Sequence, residues 1–174
     1  MLPEFRNEPL TDFSVEANKN AFRAALAKLE KRLPLEGENR IGGRRIGAAR
    51  QFESVNPCDA KQVIGRFPEG TPEDAGAAIE AAEKAFPAWS RVEPAQRSAL
   101  LLRIAGLLRR RKHDFSAMMV LEESKSWAEA DGDTAEAIDF AEFYAREMER
   151  LAQPQPLTPY PGEKNELEFI ALGV

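Results

Sequence analysis

Cysteine, histidine and an excess of basic charge are what this sequence has least of. Its 174 residues hold one cysteine, Cys58, and one histidine, His113. A lone cysteine excludes an internal disulfide framework and fits a reducing compartment. His113 builds no metal site by itself, because the nearby acids have no second histidine or cysteine at ligand spacing. Lysine and arginine number 24 against 29 acids, a formal net charge of −5, so no positive surplus draws the chain onto nucleic acid. No apolar run approaches the roughly 20 residues that a membrane helix needs. Neither a Gly-x-Gly-x-x-Gly nor a Walker-type loop occurs, so no phosphate cradle can be assigned. Residues 1–9 lack an apolar stretch and carry acids where a transit peptide avoids them. These absences predict a cytoplasmic globular protein, with neither nucleic acid nor membrane as a partner.

What is present falls into four segments. Residues 1–34 read as an N-terminal arm and a helix. The helix is predicted over 15–33, with Ser14 as its cap, Phe22, Ala25, Leu26, Leu29 and Leu33 on one face, and Pro34 ending it. Residues 35–70 turn to glycines and short β-type runs. Ile41-Gly42-Gly43-Arg44 reads as a hairpin turn, and residues 52–55 and 63–67 as strands around a turn at 56–59.

Residues 71–152 are helical in pattern. Thr71-Pro72-Glu73-Asp74 is a strong helix start, followed by a stripe of Ala75, Ala78, Ile79, Ala82 and Phe86 that predicts burial, with Pro87 interrupting it. A second helix starts near Pro94, with Leu100, Ile104, Leu107 and Leu108 as its apolar face, and ends in the basic run 109–113. A third is predicted over 114–123 with Asp114 as a possible cap. A last one covers 127–152, with Ala137, Phe140, Ala141, Tyr144, Met148 and Leu151 inward. Residues 153–174 open with four prolines that favour a stiff connector. They close on a strand-like run, predicted to pair with further sequence or a partner, because an unpaired apolar edge invites aggregation.

Three features bear on chemistry. Cys58 is the one possible thiol nucleophile. It sits in a proline-containing turn, with no base near it in sequence, and so reads as an incidental cysteine. The basic run 109–113 lacks interleaved aromatics and fits a helix end whose cations complement the macrodipole. Glu136 is the most informative acid. At i to Phe140 (i+4) and Phe143 (i+7), it shares a helix side with two aromatic rings. That suits a substrate contact, but it also suits a solvated helix acid, and periodicity does not separate the two.

Several segments, in order, resemble the NAD-dependent aldehyde dehydrogenases. Ser54-Val55-Asn56-Pro57 with Val63-Ile64-Gly65, and Ala85-Phe86-Pro87-Ala88-Trp89 with Arg97 after it, are similar to that family in general. The opening Phe5-Arg6-Asn7-Glu8-Pro9 and the acidic motif Glu129-Ala130-Asp131-Gly132-Asp133-Thr134-Ala135-Glu136-Ala137-Ile138-Asp139-Phe140 resemble its Δ1-pyrroline-5-carboxylate dehydrogenases. So do Pro159-Tyr160-Pro161-Gly162-Glu163 and the closing Leu172-Gly173-Val174.

The resemblance implies an α/β parent fold with a Rossmann-type cofactor domain, of which this chain is the mostly helical N-terminal part. It further implies oxidation of L-glutamate γ-semialdehyde to glutamate with NAD, in proline degradation. In that family a cysteine thiolate attacks the aldehyde, hydride passes to the nicotinamide, and water hydrolyses the thioester. An asparagine steadies the oxyanion. Those residues and the main NAD contacts are expected beyond residue 174, so no catalytic and no cofactor-binding residue is assigned here, and the chain alone is expected to be inactive. One residue carries over: Glu136 is the family's glutamate that helps fix the substrate near its amino group. Ser124 and Gly132 depart from the family's usual glycine and alanine. The partners implied are the remainder of the dehydrogenase polypeptide or a complementing chain, the small-molecule substrate, and further copies in a homo-oligomer. The rival expectation is a non-catalytic helical interaction module derived from the same family.

Overall fold

A computed structural model describes residues 2–174. An irregular arm over residues 2–15 leads into α1 (Glu16–Glu30). Five strands follow: β1 (Leu35–Glu36), β2 (Asn39–Ile41), β3 (Arg44–Ile46), β4 (Gln51–Asn56) and β5 (Asp59–Pro68). Four helices complete the order: α2 (Pro72–Trp89), α3 (Pro94–Arg110), α4 (Lys112–Glu123) and α5 (Trp127–Leu151). β5 is central in a three-stranded sheet, parallel to β1 and antiparallel to β4, while β2 and β3 form a separate antiparallel hairpin. Gly42 and Gly43 turn that hairpin at φ 56° and 77°, the left-handed pair that a two-residue loop requires.

α5 is the spine. It packs along α3 and α4, and α4 packs on α1. One apolar cluster joins Ala25 and Leu29 of α1 to Ile64 of β5 and to Ala117 and Leu121 of α4. A second joins Ala105 of α3 to Ile138 and Ala141 of α5. Alanines dominate the second cluster because small side chains let the two helix backbones approach closely.

The helices start and stop for local reasons. α2 opens on a reciprocal capping box, in which Thr71 Oγ1 accepts from the Asp74 amide and the Asp74 carboxylate accepts from the Thr71 amide. α5 opens the same way with Ser126 and Glu129. Two expected caps are corrected. Val15, not Ser14, precedes α1, and the helix start has no side-chain cap; Ser14 lies one residue earlier, in a turn where its amide donates to Asp12 Oδ1. α4 begins at Lys112, two residues early, and Asp114 lies within its first turn, where it pairs with Lys28 and Arg111 instead of capping.

Four expected features differ more. Pro87 does not interrupt α2, which runs on to Trp89. The amide it lacks falls in the last turn, opposite the carbonyl of the exposed residue Glu83, where water can take its place. The predicted buried stripe of α2 contains no buried residue, and Ile79 is 55% exposed. Ile104 and Leu107 of α3 are 46% and 52% exposed, while Ser98 and Ala105 face α5. On α5, Phe140 and Tyr144 point outward, and Asp131 and Thr134 join the buried face instead. Residues 166–171 are extended and exposed and pair with no strand among the described residues.

Ser124 ends α4 in the left-handed region, at φ 58° and ψ 29°. A side chain is disfavoured there and glycine is not. Ser124→Gly is therefore expected to raise stability by about 0.5–1 kcal/mol, seen as a higher urea midpoint at unchanged slope.

Candidate functional site

A groove of about 530 Å3 runs between the N-terminal arm and α5. The helix supplies Gly132, Glu136, Asp139, Phe140 and Phe143, and the arm supplies Phe5, Asn7, Glu8 and Leu10. The spacing of Glu136, Phe140 and Phe143 does place carboxylate and rings along one groove, as the helical period implies. Phe5 meets Phe143 edge-on, with centroids 5.6 Å apart, and so ties the two walls together. Gly132 sits one turn before Glu136, and a Cβ built on it would meet nothing, so the groove floor is open at that point.

The arm has no regular structure, yet it is tightly held. Asp131 accepts from the Thr11 amide at 2.7 Å, from Thr11 Oγ1 at 2.6 Å and from Lys112 Nζ at 2.9 Å. Lys112 also donates to the Pro9 carbonyl. Asp139 accepts from Asn7 and from the Glu8 amide. Arg109 bridges Glu8 and Glu142, and Arg146 reaches both Glu142 and the Pro3 carbonyl. Burial raises the Glu142 carboxyl, but the bonds from Arg146 and Arg109 outweigh it and hold it below the usual glutamate range.

That network accounts for most of the basic run. Arg109 and Lys112 are bound to acids, and Arg111 pairs with Asp114 and lies over the Phe115 ring. The run spans the junction of α3 and α4 rather than one helix end. His113 packs edge-on against Phe22, and its Nδ1 is buried without a hydrogen-bond partner. Cys58 lies exposed in the β4–β5 turn, its amide donated to Asn56 Oδ1. No hydrogen bond joins Cys58 to His113 among the described residues. The described residues also hold no cluster of three or more histidine, cysteine or acidic groups able to take a metal, and no helix long and apolar enough to cross a membrane.

Sequence reasoning passed over Asn7, Lys112, Asp131 and Asp139 as functional side chains. The one signal for them was the spread of acids over more than one face of α5, since an acid on an inward face requires a partner from elsewhere in the chain.

Glu136 differs from its neighbours. Every other acid of α5 has a hydrogen-bond or ion-pair partner: Glu129 with Ser126, Asp131 with Lys112, Asp133 with Lys125, Asp139 with the arm, Glu142 with Arg109 and Arg146, Glu147 with Arg150, and Glu149 with Ser98. Glu136 has none among the described residues, although it lies in the groove.

Comparison with known proteins agrees with this architecture. Residues 46–174 match the aldehyde dehydrogenase family, and the chain belongs to that family. It is 47% identical over its whole length to the 1-pyrroline-5-carboxylate dehydrogenase of Geobacillus sp. (strain WCH70), covering 34% of that protein. Its fold superposes with a TM-score of 0.89 on a variant of the 1-pyrroline-5-carboxylate dehydrogenase of Thermus thermophilus, at 41% identity, covering 95% of this chain and 32% of that one. A Thermus 1-pyrroline-5-carboxylate dehydrogenase with bound NAD matches equally well, with a TM-score of 0.89 at 40% identity. The fold is thus that of the N-terminal part of an α/β aldehyde dehydrogenase, and the chain spans about a third of the length of these relatives.

Proposed function

We propose that this chain is the N-terminal segment of an NAD-dependent dehydrogenase that oxidises L-glutamate γ-semialdehyde to L-glutamate, and that Glu136 receives the substrate's ammonium group. The observation that carries the site is the uncommitted carboxylate of Glu136 among otherwise partnered acids. A carboxylate pairs with an ammonium through charge-assisted hydrogen bonds, and the aromatic rings of Phe140 and Phe143 line the same groove, a surrounding that favours a cation. The names of the matched relatives support the substrate class, and the bound NAD of the Thermus protein supports the cofactor.

The chain offers no glycine-rich phosphate cradle of its own, so the NAD contacts belong to other parts of the polypeptide. Cys58, exposed in a turn and without a neighbouring base, is not the nucleophile. The 174 residues alone therefore do not oxidise the aldehyde, and their role is to form one wall of the site and to present Glu136.

The test is complementation. With a polypeptide carrying the rest of the family fold, NAD reduction by the semialdehyde is expected to appear. Glu136→Gln should then raise KM for the aldehyde roughly tenfold to a hundredfold, the loss of one charged hydrogen bond to a cation. Stable association without NAD reduction would instead favour the interaction module, a reading supported by the exposed apolar sides of α2 and α3. An unchanged KM in Glu136→Gln would remove Glu136 from the site.

A further inference from the structure

The arm has no share in either apolar cluster, yet it spends several charge-assisted hydrogen bonds on a fixed seat. Ordering an extended segment costs conformational entropy at every residue, so the seat requires specific compensation. Its middle is held by Asp139, with Arg109 on the Glu8 carboxylate and Lys112 on the Pro9 carbonyl beside it. Asp139 Oδ2 accepts from Asn7 Nδ2 at 2.7 Å, and Asp139 Oδ1 accepts from the Glu8 backbone N–H at 2.6 Å. Both oxygens thus face the arm. Asp139 stands three residues after Glu136, on the same side of α5 and in the same groove. The arm segment it holds is the wall opposite the Glu136 carboxylate.

We propose that Asp139 is a positioning residue: by latching Asn7 and Glu8 onto α5 it fixes the arm as the wall that confines a substrate ammonium against Glu136. The inference rests on the reading of Glu136 as the ammonium acceptor. It assigns different tasks to two acids one turn apart. With its charge committed to the arm, Asp139 does not compete for the cation. Glu136 is left to bind it, and Phe5, held edge-on to Phe143, closes the groove beside them. A second latch at Thr11 and Asp131 is independent of Asp139, so removing the Asp139 contact loosens the wall, which keeps only the Arg109–Glu8 side-chain pair there, without releasing the arm's root.

The experiment uses Asp139→Asn, which keeps the volume and puts a donor in place of one acceptor, and Asn7→Ala, which removes the same contact from the arm side. Amide exchange at Glu8 and Thr11 is followed in the full chain. KM for the semialdehyde and for NAD is followed in the complemented, NAD-reducing assembly. The expected result is faster exchange at Glu8 with Thr11 unaffected. Aldehyde KM should rise roughly tenfold or more, as a misplaced wall implies, while kcat and the NAD KM stay in place.

Unchanged exchange at Glu8 in both variants overturns the latch. So does a loosened arm with unchanged aldehyde KM, and in that case a raised KM in Glu136→Gln shows that the ammonium site itself stands. If Glu136→Gln leaves KM unchanged, or if no assembly containing this chain reduces NAD, the ammonium reading and the latch fall together. If Asp139→Asn loses protection at Thr11 as well, a general loss of fold is indicated and Asn7→Ala decides the matter.

Discussion

Lys112→Met is expected to destabilise the chain by about 3–5 kcal/mol, the range for breaking a buried ion pair from one side. The size follows from what is left behind. Asp131 is 1% exposed, and the Lys112 ammonium is its only cationic partner among the described residues. Methionine fills the stem of Lys112 but supplies no charge, so Asp131 remains buried with only the two Thr11 donors to satisfy it. Adding Asp131→Asn should recover much of the loss, because a neutral amide still accepts from Thr11 without an unpaired charge. A double variant no more stable than the single one would show that the arm, rather than the charge, sets the cost. Urea unfolding of the single and double variants measures both.

The same pair sets an acid limit. Burial pushes the Asp131 carboxyl up, but Thr11 through its hydroxyl and amide, and Lys112 through its ammonium, outweigh burial and hold it below the ordinary aspartate value. A carboxyl depressed on folding contributes stability that is complete above its unfolded value, near about pH 4. That contribution is lost as pH falls through the lower folded value. The arm should therefore loosen only below about pH 4. In Lys112→Met one downward pull is gone and burial counts for more, so the loss begins at higher pH.

Asp131 also explains why the buried helical faces differ from the hydrophobic pattern. The sequence pattern puts the helix boundaries within about three residues, because capping boxes and prolines act locally, whereas β1 and the first four residues of β5 carry no such local signal. Which side of a helix turns inward is not local. On α5 the outward Phe140 and Tyr144 look like core and the inward Asp131 and Thr134 look like surface. The difference is the distant arm, 120 residues away in sequence, whose Thr11 satisfies Asp131. On α2 the apolar stripe is intact but holds no buried residue, a surface that fits a partner rather than this chain's own core. The candidate site was legible to a comparable degree. Glu136 and its two rings follow from i, i+4 and i+7 spacing. The opposite wall does not, since no periodicity links Asn7 to Asp139. The opening arm and the acidic helix motif each resemble the same dehydrogenases for what looked like separate reasons. The structure joins them by hydrogen bonds.

Phe22→Ala is the other large effect to expect, about 3–5 kcal/mol for an aromatic removed from a packed interior. Phe22 is fully buried, and three elements converge on it. Phe13 of the arm lies edge-on at 5.3 Å, Trp127 at the start of α5 is tilted against it at 4.8 Å, and His113 of α4 is edge-on at 5.5 Å. No neighbouring ring can follow it inward without leaving its own element, so collapse around alanine is limited and the cavity term is nearly full. One factor opposes this. His113 Nδ1 is buried without a partner, and a water entering the new cavity would satisfy it, which places the loss toward the lower end of the range. Trp127 provides the readout, because a hydrated cavity beside it shifts its fluorescence to longer wavelength whereas a dry, collapsed one does not. Phe22→Leu, which keeps most of the volume, should cost less than half as much and leave the emission in place. Equal losses in the two variants would mean that the ring contacts, and not the filled space, hold the arm, α4 and the root of α5 together. The distinction reaches the site, because α5 carries Glu136 nine residues beyond Trp127 and its orientation depends on how that root is packed.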